Sequence, residues 1–373
     1  MATEVIKIEA GGDCTDAVRR AVEVLRSGHL VGFPTDTVYG VAARADDAEA
    51  MTRLREVKSR SPDKAFTVHI GSPEDATSYV PDLSGVAARF VRKGWPGPLT
   101  LILDVEDPSR APMMSGLNGS AAAAMYYQNT IGLRCPNDPV AQALLQSVDA
   151  PIVAASANLA DHAPPLTATD VLKELDGRIE LLIDTGPTRY SKPSTIVRVR
   201  DSQYEIVREG VYDARIVERL STVVVLLVCT GNTCRSPMAA ALAQRELARR
   251  LGCSPQDLGR SGVVVNSAGT AGGYGGISDH ARRAMADRGM DLSDHQSKAL
   301  TAEMIQQADY IFVMTRSHRD RMIEMAPDAA HRIALLVQDE DVQDPLGGSQ
   351  EEYESCAARI EQALHERLQE VTL

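Results

Sequence analysis

Nine consecutive residues, Cys229-Thr230-Gly231-Asn232-Thr233-Cys234-Arg235-Ser236-Pro237, concentrate more chemistry than any other stretch of this sequence. A thiol opens the string and a guanidinium stands six positions on. An apolar run, Val223 to Val228, leads in, and an Ala/Leu-rich run, Met238 to Leu251, leads out. That pattern predicts strand, tight loop and helix. Ser236 is expected to cap the helix, with Pro237 at its first position, where a missing N–H breaks no intrahelical bond. The free N–H groups of the loop and helix start then converge on an anion site. Cys229 would feel both the helix N-terminus and Arg235, and both favour thiolate. The planar guanidinium can hold two oxygens of one phosphate. A nucleophile beneath a phosphate cradle is equipment for covalent phosphoryl transfer. A buried Cys is ordinarily a small hydrophobe. The functional reading therefore rests on the surrounding strand, Gly-Asn pair and Ser-Pro helix start, not on the Cys–Arg spacing alone.

The elements around this loop belong to a chain of 373 residues, long enough for two domains with their own cores. No apolar run approaches membrane-spanning length. Glu4 and Glu9 interrupt the first ten residues, which argues against a secretory signal. Six Cys without zinc-type pairing fit a reduced, cytoplasmic setting. Net charge is −12, with 24 basic against 30 acidic residues in 1–220 and 15 against 21 in 221–373. Neither half is basic, so tight direct binding to long nucleic acid is not the first expectation.

In the first half, a helix is expected from Asp16 to Ser27, stopped by Gly28. The strand Leu30 to Phe33 runs into the hydroxyl-rich Pro34-Thr35-Asp36-Thr37-Val38-Tyr39-Gly40. A helix from about Ala48 to Val57 ends at Lys58-Ser59-Arg60, followed by Lys64 and the strand Phe66-Thr67-Val68-His69-Ile70. Those three cations are either a solvated turn or a phosphate pocket. Further strands end in Arg134, Ser156-Ala157-Asn158 and Asp184, and Pro193-Ser194-Thr195 opens another. Polar clusters at strand ends are mostly turn chemistry singly. Their recurrence predicts a pocket beyond the strand ends of an open α/β sheet.

The strings Phe33 to Gly40, Lys58/Arg60/Lys64, Thr67 to Ile70, Trp95-Pro96-Gly97-Pro98-Leu99-Thr100, Ser156-Ala157-Asn158 and Pro193-Ser194-Thr195-Ile196 together resemble the YrdC family. The resemblance runs from about Val5 to Glu209. It implies a threonylcarbamoyl-AMP synthase, with L-threonine, bicarbonate and ATP as substrates and Mg²⁺ on the triphosphate. Other proteins would then transfer the carbamoyl group to adenosine 37 of tRNA. It casts Lys58, Arg60 and Lys64 as phosphate clamps. Ser156, Asn158, Ser194 and Thr195 become nucleotide contacts. Thr35, His69 and Arg134 fall at the threonine and carbamate end. The alternative is a module that binds a nucleotide or RNA without catalysis.

The nine-residue string resembles the signature of the low-molecular-weight protein tyrosine phosphatases. After it, the strand Val263 to Val265, the segments at Ser267 and His295, and strands at Tyr310 and Ile333 imply a small parallel sheet with helices on both faces. Asp344-Pro345-Leu346-Gly347-Gly348 would by default be a plain turn. The resemblance makes Asp344 the general acid and Cys229 the nucleophile, with Arg235 and the amides of Thr230 to Cys234 holding phosphate oxygens. It also implies that Asn232 shapes the loop, that Ser236 hydrogen-bonds the sulfur, and that no metal is needed. Cys234, in the same loop, offers an intraloop disulfide as a reversible redox switch. Thr233 in the loop and the Gly-Gly after the acid resemble the protein-arginine phosphatase branch, although Leu346 stands where that branch tends to have Phe. The expected architecture is two α/β domains, 1–220 and 221–373. They are joined without a Gly/Ser or Pro-rich spacer, so they should abut.

Overall fold

A computed structural model describes residues 2–9, 11–61, 64–117, 119–160, 162–201, 203–273 and 275–372. The chain divides into two compact units, Met1–Leu220 and Ser221–Leu373.

The first unit holds one mixed sheet. Its strands are β1 (Glu4–Lys7), β2 (Val31–Phe33), β3 (Gly40–Arg44), β4 (Thr67–His69), β5 (Leu99–Asp104), β6 (Tyr126–Tyr127), β7 (Thr130–Arg134), β8 (Ile152–Ser156), β9 (Leu181–Asp184), β10 (Thr195–Arg200) and β11 (Gln203–Arg208). They lie in the order β1-β9-β2-β3-β8-β4-β7-β5-β10-β11, with β6 paired to β7. Side chains alternate between faces. On one face Val41, Val68, Leu101, Leu133, Val153 and Val197 join a single apolar core. The other face is divided. Across β9, β2, β3 and β8 it is apolar, through Leu181, Val31, Phe33, Ala42 and Ala154. The helices Thr15–Arg26 and Pro139–Ser147 cover it there with Ala21, Leu25, Ala141 and Leu144. Across β4, β7, β5 and β10 the same face carries Thr67, His69, Gly132, Arg134, Thr100, Ile102 and Ile196, which line a cavity. Sheets with antiparallel pairs tolerate one wet face. The cavity therefore extends along the sheet face as well as over the strand ends, where Thr35, Ser156, Asn158 and Ser194 join its lining.

The helix Ala48–Lys58 starts on Asp47, whose carboxylate accepts from the N–H groups of Glu49 and Ala50. It ends at Ser59 in the left-handed conformation, φ 46°. Lys58 and Arg60 thus flank a sharp turn and reach the cavity.

The second unit is an all-parallel sheet of β12 (Val223–Cys229), β13 (Val263–Gly269), β14 (Tyr310–Val313) and β15 (Ile333–Leu335), ordered β13-β12-β14-β15. Val225 and Leu227 face the helices Arg235–Leu251 and Gln350–Arg367, while Leu226 and Val228 face Arg316–Met325. Burial on both faces explains the unbroken apolar run of β12. β12 lies where the strand order turns back, so its carboxyl end opens into a crevice. Cys229 is its last residue.

Candidate active sites

The cavity of the first unit measures about 700 Å³. Thr35, Lys58, Arg60, Lys64, His69, Arg134, Ser156, Asn158 and Ser194, all singled out from the sequence, line it. Thr195 does not. It shares the core-facing parity of Val197 and Val199, and it is fully buried. Its hydroxyl donates to Tyr212 O at 2.7 Å and accepts from Gly210 N and Tyr212 N. Its expected contact with nucleotide is corrected to a tie between β10 and the loop beyond β11. Arg208, which the sequence reading passed over, takes a place in the lining and donates to Ser194 O at 2.8 Å. The signal was there in β11, an Arg ending a strand as at Arg134.

Five cations, Lys58, Arg60, Lys64, Arg134 and Arg208, thus face one space, and none of the described lining residues is acidic. In a chain of net charge −12 this is a sharply local concentration of positive charge, suited to anions. Lys58 Nζ donates to Ser156 O at 2.8 Å and to Asn158 Oδ1 at 3.1 Å, tying the helix end to the Ser-Ala-Asn turn. Burial pushes the Lys58 ammonium down to about 8, with Glu174 opposing. Burial likewise lowers Arg60, whose guanidinium stacks 4.7 Å over Phe66 and donates to Ala65 O. Arg134 is buried; it donates to Asp36 Oδ1 at 2.7 Å and Thr37 Oγ1 at 2.6 Å, and more distantly to Thr35 Oγ1 at 3.4 Å. Burial, then Arg134, hold His69 down to about 3, so its imidazole is neutral.

In the second unit the helix begins at Arg235, with Cys234 at the cap position and no side-chain cap. This corrects the expected Ser236 cap: Ser236 and Pro237 are the second and third helical residues. Pro is tolerated there because the first-turn N–H groups have no intrahelical partner anyway. Ser236 is thereby free to turn inward, where its hydroxyl lies 3.0 Å from Cys229 Sγ. Asn232 N–H donates to the same sulfur at 3.3 Å. Leaving the first turn uncapped keeps its N–H groups available for an anion.

Asn232 organises the loop. It is fully buried with φ +56°, a conformation Asn tolerates better than most residues. Its Nδ2 donates to Ser236 Oγ and Ser267 Oγ, both at 2.9 Å, and its Oδ1 accepts from Lys298 N at 2.8 Å. His295 Nε2 donates to Asn232 O at 2.8 Å, and Ser297 Oγ to Gly231 O at 2.7 Å. Gly269 ends β13 against this loop; a Cβ there would meet Thr230 O at 2.5 Å and Asn232 N at 2.8 Å. Asn232→Ala removes the bonds to two buried hydroxyls, Ser236 and Ser267, and to Lys298 N–H, and leaves an Ala in a left-handed backbone. It is expected to destabilise the second unit by about 3 kcal/mol, read as a lower melting transition.

Arg235 is buried. Its Nη1 donates to Val342 O at 2.8 Å, its Nη2 to Thr230 Oγ1 at 3.3 Å, and it forms an ion pair with Asp344. The Asp344 side chain is 40% exposed, at the rim. Leu346, two residues on, is 71% exposed. Its N–H donates to Asp344 Oδ1 at 3.2 Å, which orients the carboxylate. Cys234 Sγ sits 3.3 Å from Ser278 Oγ and 3.4 Å from Tyr353 OH. Ser278, Tyr353 and His318, which touches Thr230, lie too far along the chain for any local pattern to connect them with the loop.

A cation-lined cavity on a mixed sheet and a cysteine-bearing loop ahead of a helix on a parallel sheet define a two-unit α/β protein. Residues 23–210 match the family model of Sua5, YciO and YrdC, described as telomere recombination, and the chain belongs to that family. Residues 224–372 match the model described as low molecular weight phosphotyrosine protein phosphatase. The chain is 34% identical over 198 residues to the threonylcarbamoyl-AMP synthase of Bacillus subtilis, covering 52% of this chain and 53% of that protein. It is 33% identical over 193 residues to the enzyme of the same name from Pyrococcus abyssi, covering 52% and 54%. It therefore spans about half the length of these curated relatives. The crystal structure of Pyrococcus abyssi Sua5 complexed with L-threonine shares the fold, with TM-score 0.52 and 22% identity over 71% of this chain and 92% of that one.

Proposed function

We propose that the protein is bifunctional, a threonylcarbamoyl-AMP synthase joined to a cysteine-dependent protein phosphatase. The observation that carries the first half is the cavity with five cations and no described acid. The synthases it resembles join two anions, a threonine-derived carbamate and ATP. The carbamate oxygen attacks the α-phosphate, the bond to the β-phosphate breaks, and pyrophosphate leaves. Such a step needs positioning and charge neutralisation above all. Mg²⁺ enters as part of the nucleotide substrate, since the described lining supplies no carboxylate to hold it. We assign Lys58, Arg60 and Lys64 to the phosphates, Ser156, Asn158 and Ser194 to the nucleotide, and Thr35, His69 and Arg134 to the threonine end. The product would pass to tRNA-modification proteins. Pyrophosphate release that requires threonine and bicarbonate as well as ATP tests this reading. Nucleotide binding without such release would favour the non-catalytic module.

The phosphatase reading is carried by Cys229 Sγ lying under a helix start with Arg235 and Asp344 at its mouth. Sulfur attacks phosphorus while Asp344 protonates the leaving atom. Asp344 then takes a proton from the water that attacks the phosphocysteine, releasing phosphate and thiolate. Phosphate oxygens take over Arg235 from Asp344 on binding, freeing the carboxyl for that work. The Ser236 hydroxyl supports the departing sulfur.

Phosphoarginine in a protein substrate is the reading we favour over phosphotyrosine. Thr233 presents a hydroxyl where an apolar wall would suit a phenyl ring, and Leu346 cannot stack as an aromatic does. Thr233→Ile is expected to shift the ratio of phosphoarginine to phosphotyrosine turnover by about tenfold toward phosphotyrosine. Wild-type protein that cleaves phosphotyrosine peptides far faster than phosphoarginine peptides would return the site to tyrosine specificity.

A further inference from the structure

A buried imidazole outside the loop at Cys229 touches it through Thr230. We propose that His318 is a positioning residue that holds Arg235 in its phosphate-binding orientation through the hydroxyl of Thr230, an inference that rests on the phosphatase reading. His318 Nε2 lies 2.9 Å from Thr230 Oγ1, and Arg235 Nη2 donates to that same oxygen at 3.3 Å. The other ring nitrogen, Nδ1, lies 2.8 Å from Thr315 Oγ1. Thr315 is the cap of the helix Arg316–Met325, and its hydroxyl also accepts from His318 N–H. The ring is therefore pinned at both nitrogens, by a helix cap on one side and by the loop on the other.

The arrangement matters once phosphate arrives. Asp344 must leave Arg235 to act as the acid. The fork then keeps two protein anchors, Val342 O on Nη1 and Thr230 Oγ1 on Nη2. Thr230 is an anchor only if its own rotamer is fixed, and His318 is the partner that fixes it. A neutral imidazole donates through one nitrogen and accepts through the other, so it can bridge two hydroxyls. Burial, then Arg235, hold His318 down to about 4, against the opposing pull of Asp344 and Asp341. The ring accordingly stays neutral at neutral pH.

The test compares His318→Gln and His318→Asn. The longer amide reaches where Nε2 stood, whereas Asn reaches only the Nδ1 side and Thr315. Tungstate affinity by calorimetry, and kcat and KM on an aryl phosphate, are measured on the full chain. His318→Asn is expected to weaken tungstate binding and lower kcat by about tenfold each, with His318→Gln within about twofold of wild type. Thr230→Val is expected to match His318→Asn, and the two together to be no worse than either alone. Equal losses in the Gln and Asn variants, or additive losses with Thr230→Val, would overturn the proposal. Should the Asn variant not fold, Thr230→Val with unchanged tungstate affinity overturns it by itself. If wild type binds tungstate but turns over no phosphate compound, the phosphatase reading fails, and the affinity comparison still decides the role of His318.

Discussion

Cys229→Ser is expected to lower phosphatase turnover by about five orders of magnitude while leaving threonine-dependent pyrophosphate release unchanged. The sulfur is the attacking atom, and every element around it serves that atom: Asn232 N–H at 3.3 Å, Ser236 Oγ at 3.0 Å and the uncapped first turn behind them. A serine hydroxyl at the same place is a poor nucleophile because nothing on the loop removes its proton. Ser236 and Asn232 are themselves donors to the neighbouring atoms. The fold should survive, since Ser is smaller than Cys and can keep both contacts. The measurement is hydrolysis of an activated aryl phosphate and of phosphoarginine peptides by the purified variant. Turnover within about a hundredfold of wild type would end the covalent mechanism, because removing the nucleophile of such a site costs far more than that.

The second large effect belongs to the other unit. Lys58→Ala is expected to reduce threonine-dependent pyrophosphate release about a hundredfold, and Arg60→Ala by a similar factor. Lys58 does two things. Its ammonium lines the cavity, and it bridges the helix end to Ser156 and Asn158. Lys58→Met keeps the aliphatic stem but removes the ammonium, and with it both roles, so it separates the charged group from the packing of the stem. An equally large loss in that variant assigns the effect to the ammonium. The lowered pKa of Lys58, about 8, adds a pH signature. Below that value the clamp is charged. As pH rises through it the ammonium loses its proton, and the apparent KM for ATP is expected to rise. ATP binding favours the charged form, so saturating nucleotide should move the midpoint upward. An ATP KM that is flat from pH 7 to 9.5 in wild type would remove Lys58 from the phosphates.

Much of both sites was legible in the sequence because local chemistry dictates local geometry. A β-branched apolar run, a Gly-Asn turn and an Ala/Leu helix can hardly do other than present Cys229 at a strand end. Asp47 ahead of Ala48 starts a helix that must end near Lys58. Nine of the ten residues expected around the substrates line one cavity for the same reason, most of them at or near the end of a recognisable element and Lys64 in the loop between two of them.

What local pattern did not decide was parity, pairing and assembly over distance. Ser194 and Thr195 are both hydroxyl-bearing and adjacent, and nothing in their types says which faces the cavity. Only the register of β10 against β5, Thr195 opposite Leu99, turns one inward and the other into the core. The cavity itself lies along a sheet face because, among the described residues, no helix covers β4, β7, β5 and β10 there, a consequence of strand order. The cap of the helix after the phosphate loop shifted from Ser236 to Cys234 because Ser236 had better partners in Cys229, Asn232 and Ala268. His318 reaches Thr230 across 88 residues of chain, and Asp344 reaches Arg235 across 109. The sequence by itself determined which groups were available and which elements carry them. Tertiary structure alone decided which of them meet, because a hydrogen bond depends on a few tenths of an ångström that only packing of the whole unit can set.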